Sequence, residues 1–444
     1  MLRSMMNRDR VIEEKIYRRR RKKHKRRRNS SRFSSPGMFK GLSIKIQPDL
    51  SVFMRNHGFF KDSYVSSIIK APNDFSFEED NDGSIVFFKQ ILSTYYLSDN
   101  VLLMDFTDCK DIAIPNAMLL NLILMDFRVA ERDFNQVYFS KIKKKIKIIK
   151  SNHLKTNKCL HVFHLLDNVE VNEGDAYLYL GNQIGFLSKS LYRYNVKGAI
   201  CTKVREFVNE SLKASNAILN KTGENKLDGL LSEIFNNAED HGIFKKWFVN
   251  GVSYREITEN KETIVELNLG ILNFGYSISE GLFNNRLRNK EMMSYIDPWF
   301  EMHQKDIRYR YMPYSKEDLY TLYCLQEGVS RLKYQNVGRG SGTMNFLRSF
   351  MFLGSYGKVN PNYRSHLNIF SGNTIVRCTH DVEPYEKDGR FYLSLNSQKD
   401  LDKLPDSKYL AHTREYFPGT FFEVKIYLNN KYFTEKLKDG KDTA

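Results

Sequence analysis

The sequence predicts an α/β protein made of two folded parts behind a basic N-terminal tail, on three observations. Short β-rich runs and helical runs alternate along the chain from about Met38 onward, an order that builds α/β folds. A hydrophobic fraction of 41% and an aromatic fraction of 13% supply enough apolar surface for packed cores, and 444 residues give room for two or three domains. The charge is lopsided: residues 1–35 hold 15 Lys or Arg against the three acids Asp9, Glu13 and Glu14, so most of the formal +17 lies there. The expected organisation is a disordered basic tail (1–37), an α/β regulatory or interaction domain (38–200), a larger α/β domain (201–432) and a C-terminal tail (433–444).

The run Arg18 to Arg28, RRRRKKHKRRR, has no apolar residue that could face a core, and it leads into the Ser-rich NSSRFSSPG. Such a block attracts polyanions without reading a sequence, so nucleic acid or an anionic surface is one expected partner. A solubilising or trafficking tail is the other reading. The longest apolar stretches, such as Leu119 to Met125, fall short of the roughly 20 residues of a membrane span, so no transmembrane segment is expected. The N-terminus also lacks the apolar core of a secretory signal. Cys109, Cys159, Cys201, Cys324 and Cys378 form no C-x-x-C pair, which fits a reducing, cytoplasmic setting.

In the first folded part, LSIKI, VLLMDF, CLHVFHLL and AYLYLG read as β-rich runs, and PNAMLLNLILMDFRVAERDF as a helix opened at Pro115. The segment that holds Cys159, His161 and His164 reads as a buried strand with alternating faces rather than as a metal site. Lys141 to Lys150, KIKKKIKIIK, reads as the solvated face of an amphipathic strand or helix. The succession of buried strand, loop and helix in VLLMDFTDCKDIAIPNAMLLNLIL resembles the STAS-like domain. DIAIPNAM has no counterpart of the serine phosphoacceptor of that family, which leaves an interaction or regulatory role.

In the second part, LLSEIFNNAEDHG sets Glu233, Asn237 and His241 at steps of four, which return to nearly the same face of a helix. Leu230, Leu231, Ile234 and Phe235 occupy the other side. Glycine motifs follow in order. A β-run ends at Asn273-Phe274-Gly275. Asn336 to Thr343, NVGRGSGT, precedes the helical MNFLRSFMFL. Pro418-Gly419-Thr420 enters a strand, FFEVKIYL. There is no GxxxxGK[ST], so a P-loop is excluded as the nucleotide site.

From roughly Lys203 to Leu428 this order resembles the GHKL superfamily, the Bergerat-fold ATPases that include gyrase, histidine kinases and the mismatch-repair ATPases. Glu233-x-x-x-Asn237-Ala238-x-x-His241 matches its N box, Asn273-Phe274-Gly275 its first glycine box, Gly338 to Gly342 its glycine-rich lid and Gly419-Thr420 its final box. The resemblance implies a mixed sheet covered by helices on one face, a lid over about 276–342, and ATP and Mg2+ as cofactors. It further implies Asn237 as magnesium ligand and Glu233 as the base for an attacking water. Gly338, Gly340 and Gly342 would turn backbone amides toward the phosphates, beside Arg339, Ser341 and His241. Asn273, with Gly275 and Thr420, would receive the adenine; the family normally has an aspartate at Asn273, and an amide oxygen accepts the same bond without charge. Ser277 stands where a second glycine is common.

Three functions follow: a magnesium-dependent ATPase coupled to a protein or nucleic-acid partner, a protein kinase of histidine-kinase or anti-sigma serine-kinase type, or a non-hydrolysing ATP-dependent switch or scaffold. The first is favoured by Glu233, and a His-Glu-x-x-x-Pro segment for a self-contained histidine kinase is missing before it. The family also implies a homodimer.

Overall fold

The computed structural model describes residues 57–98, 101–138, 145–166, 177–181, 183–186, 196–213, 217–241, 246–257, 263–288, 290–329, 342–356, 360–429 and 434–436. The basic tail, LSIKI and the site candidates Gly338, Arg339, Gly340 and Ser341 lie outside the described residues. What is described is mixed α/β.

The N-terminal part contains β1 (Ile69–Lys70), β2 (Asp74–Phe75), α1 (Asn81–Leu97), β3 (Leu102–Asp105), β4 (Asp111–Ile112), α2 (Ile114–Tyr138), β5 (Ile146–Ile149) and α3 (Leu154–Val162). β1, β3 and β5 form a parallel sheet, and β2 pairs with β4, also parallel. Parallel neighbours need crossovers, and α1 and α2 supply them. The Asp80 carboxylate caps α1 by accepting from the Gly83 N–H at 2.9 Å. Pro115 sits in the first turn of α2, where its missing N–H costs nothing. Asn116 ties the two helix starts together: its Oδ1 accepts from Phe77 N and its Nδ2 donates to Ser84 Oγ.

CLHVFH is not a strand. Leu160 and Phe163, three residues apart and both fully buried, follow the spacing of a helix face, and α3 carries the segment up to Val162. The His161 ring is engaged at Nδ1 by the Leu166 carbonyl at 3.0 Å. Lys145–Lys150, by contrast, is the expected solvated strand, with Lys147 exposed and Ile146 and Ile148 half-buried.

The C-terminal part adds β6 (Tyr177–Tyr179), β7 (Gln183–Phe186), α4 (Val196–Lys213), β8 (Ala217–Leu219), α5 (Lys221–His241), β9 (Lys246–Ile257) and β10 (Thr263–Phe274). Three helices follow, α6 (Ile278–Phe283), α7 (Lys290–Lys305) and α8 (Lys316–Cys324), then α9 (Gly342–Leu353) and β11 (His366–Thr379). The chain closes with β12 (Tyr385–Lys387), β13 (Arg390–Tyr392), β14 (Leu410–Asn429) and β15 (Thr434–Lys436). The large sheet runs β11-β14-β10-β9-β6, with β7 also on β9. Every pairing described in it is antiparallel, not mixed as expected. β6 and β7 precede residue 201 yet close the outer edge of β9, satisfying N–H and C=O groups that a bare edge would expose. The expected 200/201 boundary instead falls within α4. β15 pairs with β8, so the expected C-terminal tail contributes a strand.

Strand alternation gives the sheet two buried faces. Val265, Leu267, Leu269 and Ile271 of β10 join Phe207 of α4, Ile234 of α5 and Phe350 of α9 in one core. Leu272 and Phe274, with Phe370, Phe417 and Phe421, join the N-terminal part in a second core. The sheet is therefore covered on both faces, because its phenylalanine-rich side has to be buried too. Phe77 is the joint: it is 1% exposed, with ring centroids of Phe370, Phe417 and Phe421 at 5.4, 5.5 and 5.9 Å. Lys89 of α1 adds a part-buried ion pair with Glu415 of β14. Phe77→Ala is expected to cost about 3–5 kcal/mol in urea unfolding; a loss below about 1 kcal/mol would mean that the two parts do not share this core.

Among the described residues, no helix is long and apolar enough to cross a membrane.

Candidate functional site

Helix α5 carries the polar stripe read from the sequence. Leu230, Leu231, Ile234 and Phe235 are fully buried, while Glu233 and Asn237 are half-buried on the flank. His241 is the last residue of the helix, and its side chain lies outside the description. α9 packs beside α5 and runs the opposite way. The Lys226 ammonium lies 5.0 Å from the centre of the Phe352 ring, and a Cβ on Gly229 would stand 3.5 Å from Ser349 Oγ. Both helices advance about 1.5 Å per residue, so the same register carried along brings Gly342, the first residue of α9, level with Asn236 and its neighbour Asn237.

The end of α5 also meets the end of β10. Trp247, fully buried, stacks on Phe235 with ring centroids 3.9 Å apart and donates from Nε1 to Glu239 Oε1 at 3.2 Å. β9 and β10 pair as far as Phe248 opposite Leu272, so Trp247 is the next residue along, on the row of Asn273. Across β10, Asn273 stands directly opposite Thr420 of β14, and both are buried. Their side chains share the α5 face of the sheet, as the alternation from Ile271 and Phe422 requires. Phe346 of α9 lies over Phe422, ring centroids 5.8 Å apart, one turn into the helix that Gly342 starts.

Thr420 is held from a third strand. Ser371 Oγ is 2.8 Å from Thr420 Oγ1, accepts from the Ile278 N–H at 2.9 Å and donates to the Gly419 carbonyl at 3.2 Å. The pairing of β11 with β14 jumps at this point, from Ser371 opposite Thr420 to Gly372 opposite Phe417. Pro418-Gly419 is therefore a bulge inside a 20-residue strand rather than the entry to one. Gly419 has φ +144°, and a Cβ there would stand 2.2 Å from the Asn273 carbonyl oxygen, so its glycine is required by the approach of β10. Gly275, φ +147°, donates its N–H to the Pro418 carbonyl at 3.2 Å.

Several neighbours had no sequence signal. Lys197, in the first turn of α4, reaches Asn236 Oδ1 and sits 3.3 Å from Glu239 Oε2, which sets a cation beside the asparagine pair. Ser277 is the N-cap of α6, in a reciprocal capping box with Glu280, which accounts for a serine where a glycine was expected. The helices α6–α8 belong to the main core through Leu282, Met292, Ile296, Leu319 and Tyr323. The expected lid over 276–342 is thus anchored from Ile278 to Cys324, since lifting it whole would expose those side chains.

Two carboxylates lie at the base of α8. Glu317 accepts from Ser279 Oγ at 3.1 Å and Ser277 Oγ at 3.3 Å, and burial pushes its pKa up. Asp318, fully buried, accepts from Thr374 Oγ1 at 2.6 Å and His412 Nδ1 at 2.9 Å. The hydrogen bond to Asp318 raises the His412 pKa above its ordinary 6.5. A raised histidine stabilises the fold fully below its unfolded pKa and loses that contribution as pH rises through the folded one. The stability gap between wild type and His412→Gln is therefore expected to be widest below pH 6.5 and to narrow above it; a gap that widens with pH in urea titrations would refute the pairing.

Comparison of the chain with protein-family models, with curated proteins and with solved structures gave no match.

Proposed function

We propose that this chain binds a magnesium–adenine nucleotide where the end of α5, the start of α9, the end of β10 and the bulge of β14 converge, and that it hydrolyses the nucleotide, as the resemblance to the GHKL superfamily implies. The observation that carries the reading is the antiparallel α5/α9 pair together with the Asn273–Thr420 cross-strand pair: motifs nearly two hundred residues apart in the chain meet at one end of one sheet face.

The donor set suits the group. Asn237 offers a neutral hard oxygen of the kind magnesium accepts, and the first N–H groups of a twelve-residue helix face outward at Gly342, where the positive end of the dipole favours phosphate. Magnesium, when bound, would neutralise charge on the phosphates. Glu233, one turn before Asn237, would take the proton of the attacking water. Gly338, Arg339, Gly340 and Ser341, just ahead of α9, would line the phosphates. At the base end, Ser371 aims the Thr420 hydroxyl beside Asn273; in so buried a position an uncharged amide is cheaper to keep than an unpaired carboxylate. Lys197 adds a positive charge on the Asn236 side.

A second reading, a nucleotide-dependent switch without turnover, is favoured by the uncharged Asn273 and by helices α6–α8 being tied into the core. Equilibrium binding of Mg-ATP followed by single-turnover phosphate release separates the two: binding with turnover supports the ATPase, binding alone supports the switch. No binding overturns both. The basic run 18–28 belongs to the same proposal as the contact to a polyanionic partner.

A further inference from the structure

On the opposite face of the sheet, at the seam with the N-terminal part, the structure gathers a set of donors unconnected with the nucleotide reading. Glu78 comes from the segment before α1, His366 from β11 and Glu423 from β14, and one donor atom from each lies within 4.8 Å of the others. His366 Nε2 is 4.0 Å from Glu78 Oε2. Between the two carboxylates sits Asn368, 0% exposed, whose Nδ2 donates to Glu78 Oε2 at 2.9 Å and to Glu423 Oε2 at 3.0 Å. The Oδ1 of this buried amide has no hydrogen-bond partner. A half-turn of the carboxamide brings that oxygen to the place Nδ2 holds, between the carboxylates. That orientation repels two bare carboxylates and suits a cation.

The surrounding charges leave room for one. Arg377 approaches Glu78, with Nε at 3.8 Å from Oε1 and Nη2 donating to its backbone carbonyl. Lys425 is paired with Glu266 at 3.2 Å. Glu78 therefore has one guanidinium beside it, and Lys425, shared with Glu266, is the cation near Glu423, in a seam only partly open to water.

We propose that Glu78, His366 and Glu423, with the Asn368 amide oxygen as fourth donor, bind one divalent first-row metal ion of the zinc class. One imidazole nitrogen with three oxygens and no thiolate is a donor set such ions accept. Ligand distances of about 2.0–2.2 Å require the donor atoms to draw in by less than about 1 Å each, within reach of side-chain rotation. Because Glu78 belongs to the N-terminal part and the other ligands to the large sheet, the ion clamps the two together.

The test uses the full chain, stripped with chelator, reloaded with Zn2+ alone and passed through gel filtration before metal analysis. One equivalent per chain and a raised thermal midpoint are expected. Glu423→Gln and His366→Gln should each weaken zinc binding by at least about tenfold. Co2+ loaded in place of Zn2+ should lack the thiolate charge-transfer band. A wild-type chain that retains no stoichiometric zinc overturns the proposal whatever the variants do. So does zinc retained by both substituted chains, or a thiolate band, either of which would put the ion elsewhere.

Discussion

Replacing Glu233 with alanine is expected to lower phosphate release from Mg-ATP by about 10²–10⁴-fold while leaving nucleotide binding intact. On the proposed reading the reason lies in position: Glu233 is half-buried, one turn from Asn237 on α5, so its carboxylate would meet a water without holding the nucleotide. Asn237→Ala should do the reverse and weaken Mg-ATP binding by at least about tenfold, because it removes a donor from the ion. Equilibrium dialysis and single-turnover phosphate release measure the two effects separately. Equal turnover in Glu233→Ala would dismiss Glu233 as the base. Unchanged affinity in Asn237→Ala would dismiss the nucleotide site.

Gly419→Ala should strongly destabilise the fold. The added methyl would stand 2.2 Å from the Asn273 carbonyl oxygen and 2.8 Å from Phe274 Cα, both backbone atoms that cannot swing aside. Its φ of +144° is one that L residues rarely adopt. Backbone strain of about 1–3 kcal/mol adds to that collision, so the total should exceed about 3 kcal/mol. Gly328→Ala is the control: φ is +83°, but nothing lies within 4 Å of the added methyl, so only the cost of the left-handed conformation remains, about 1–2 kcal/mol. Thermal and urea unfolding of the two variants compare them directly. Equal losses would mean that the β10–β14 approach is not what requires glycine at 419.

The polar stripe of α5 was legible because helical period is written in consecutive residues, and Leu230, Ile234 and Phe235 repeat it without interruption. The same logic failed at CLHVFH, where the apolar spacing fits a strand until Phe163 is counted with Leu160. Ser371, Trp247 and Lys197 carried no signal, since each gains its meaning from a strand pairing or helix crossing that joins distant segments. Gly419 matches the final box of the resemblance, and the register of β10 against β14 by itself demands a glycine there. The phenylalanine-rich face was visible as composition; that it covers itself with the N-terminal part follows only from Phe77 meeting Phe370, Phe417 and Phe421. That His366 and Glu423 lie close together likewise depends on the register of β11 against β14, which sets Asn368 opposite Glu423 and His366 opposite Lys425.

Alternation along β10 and β14 has a mechanical consequence. Asn273 and Thr420 look one way, and their chain neighbours Leu272, Phe274 and Phe421 look the other, into the core shared with the N-terminal part. Consecutive residues thus belong to opposite compartments, and a displacement of either strand end is felt at once on both sides. A single layer of backbone is therefore all that separates the Asn273–Thr420 pair from the core shared with the N-terminal part.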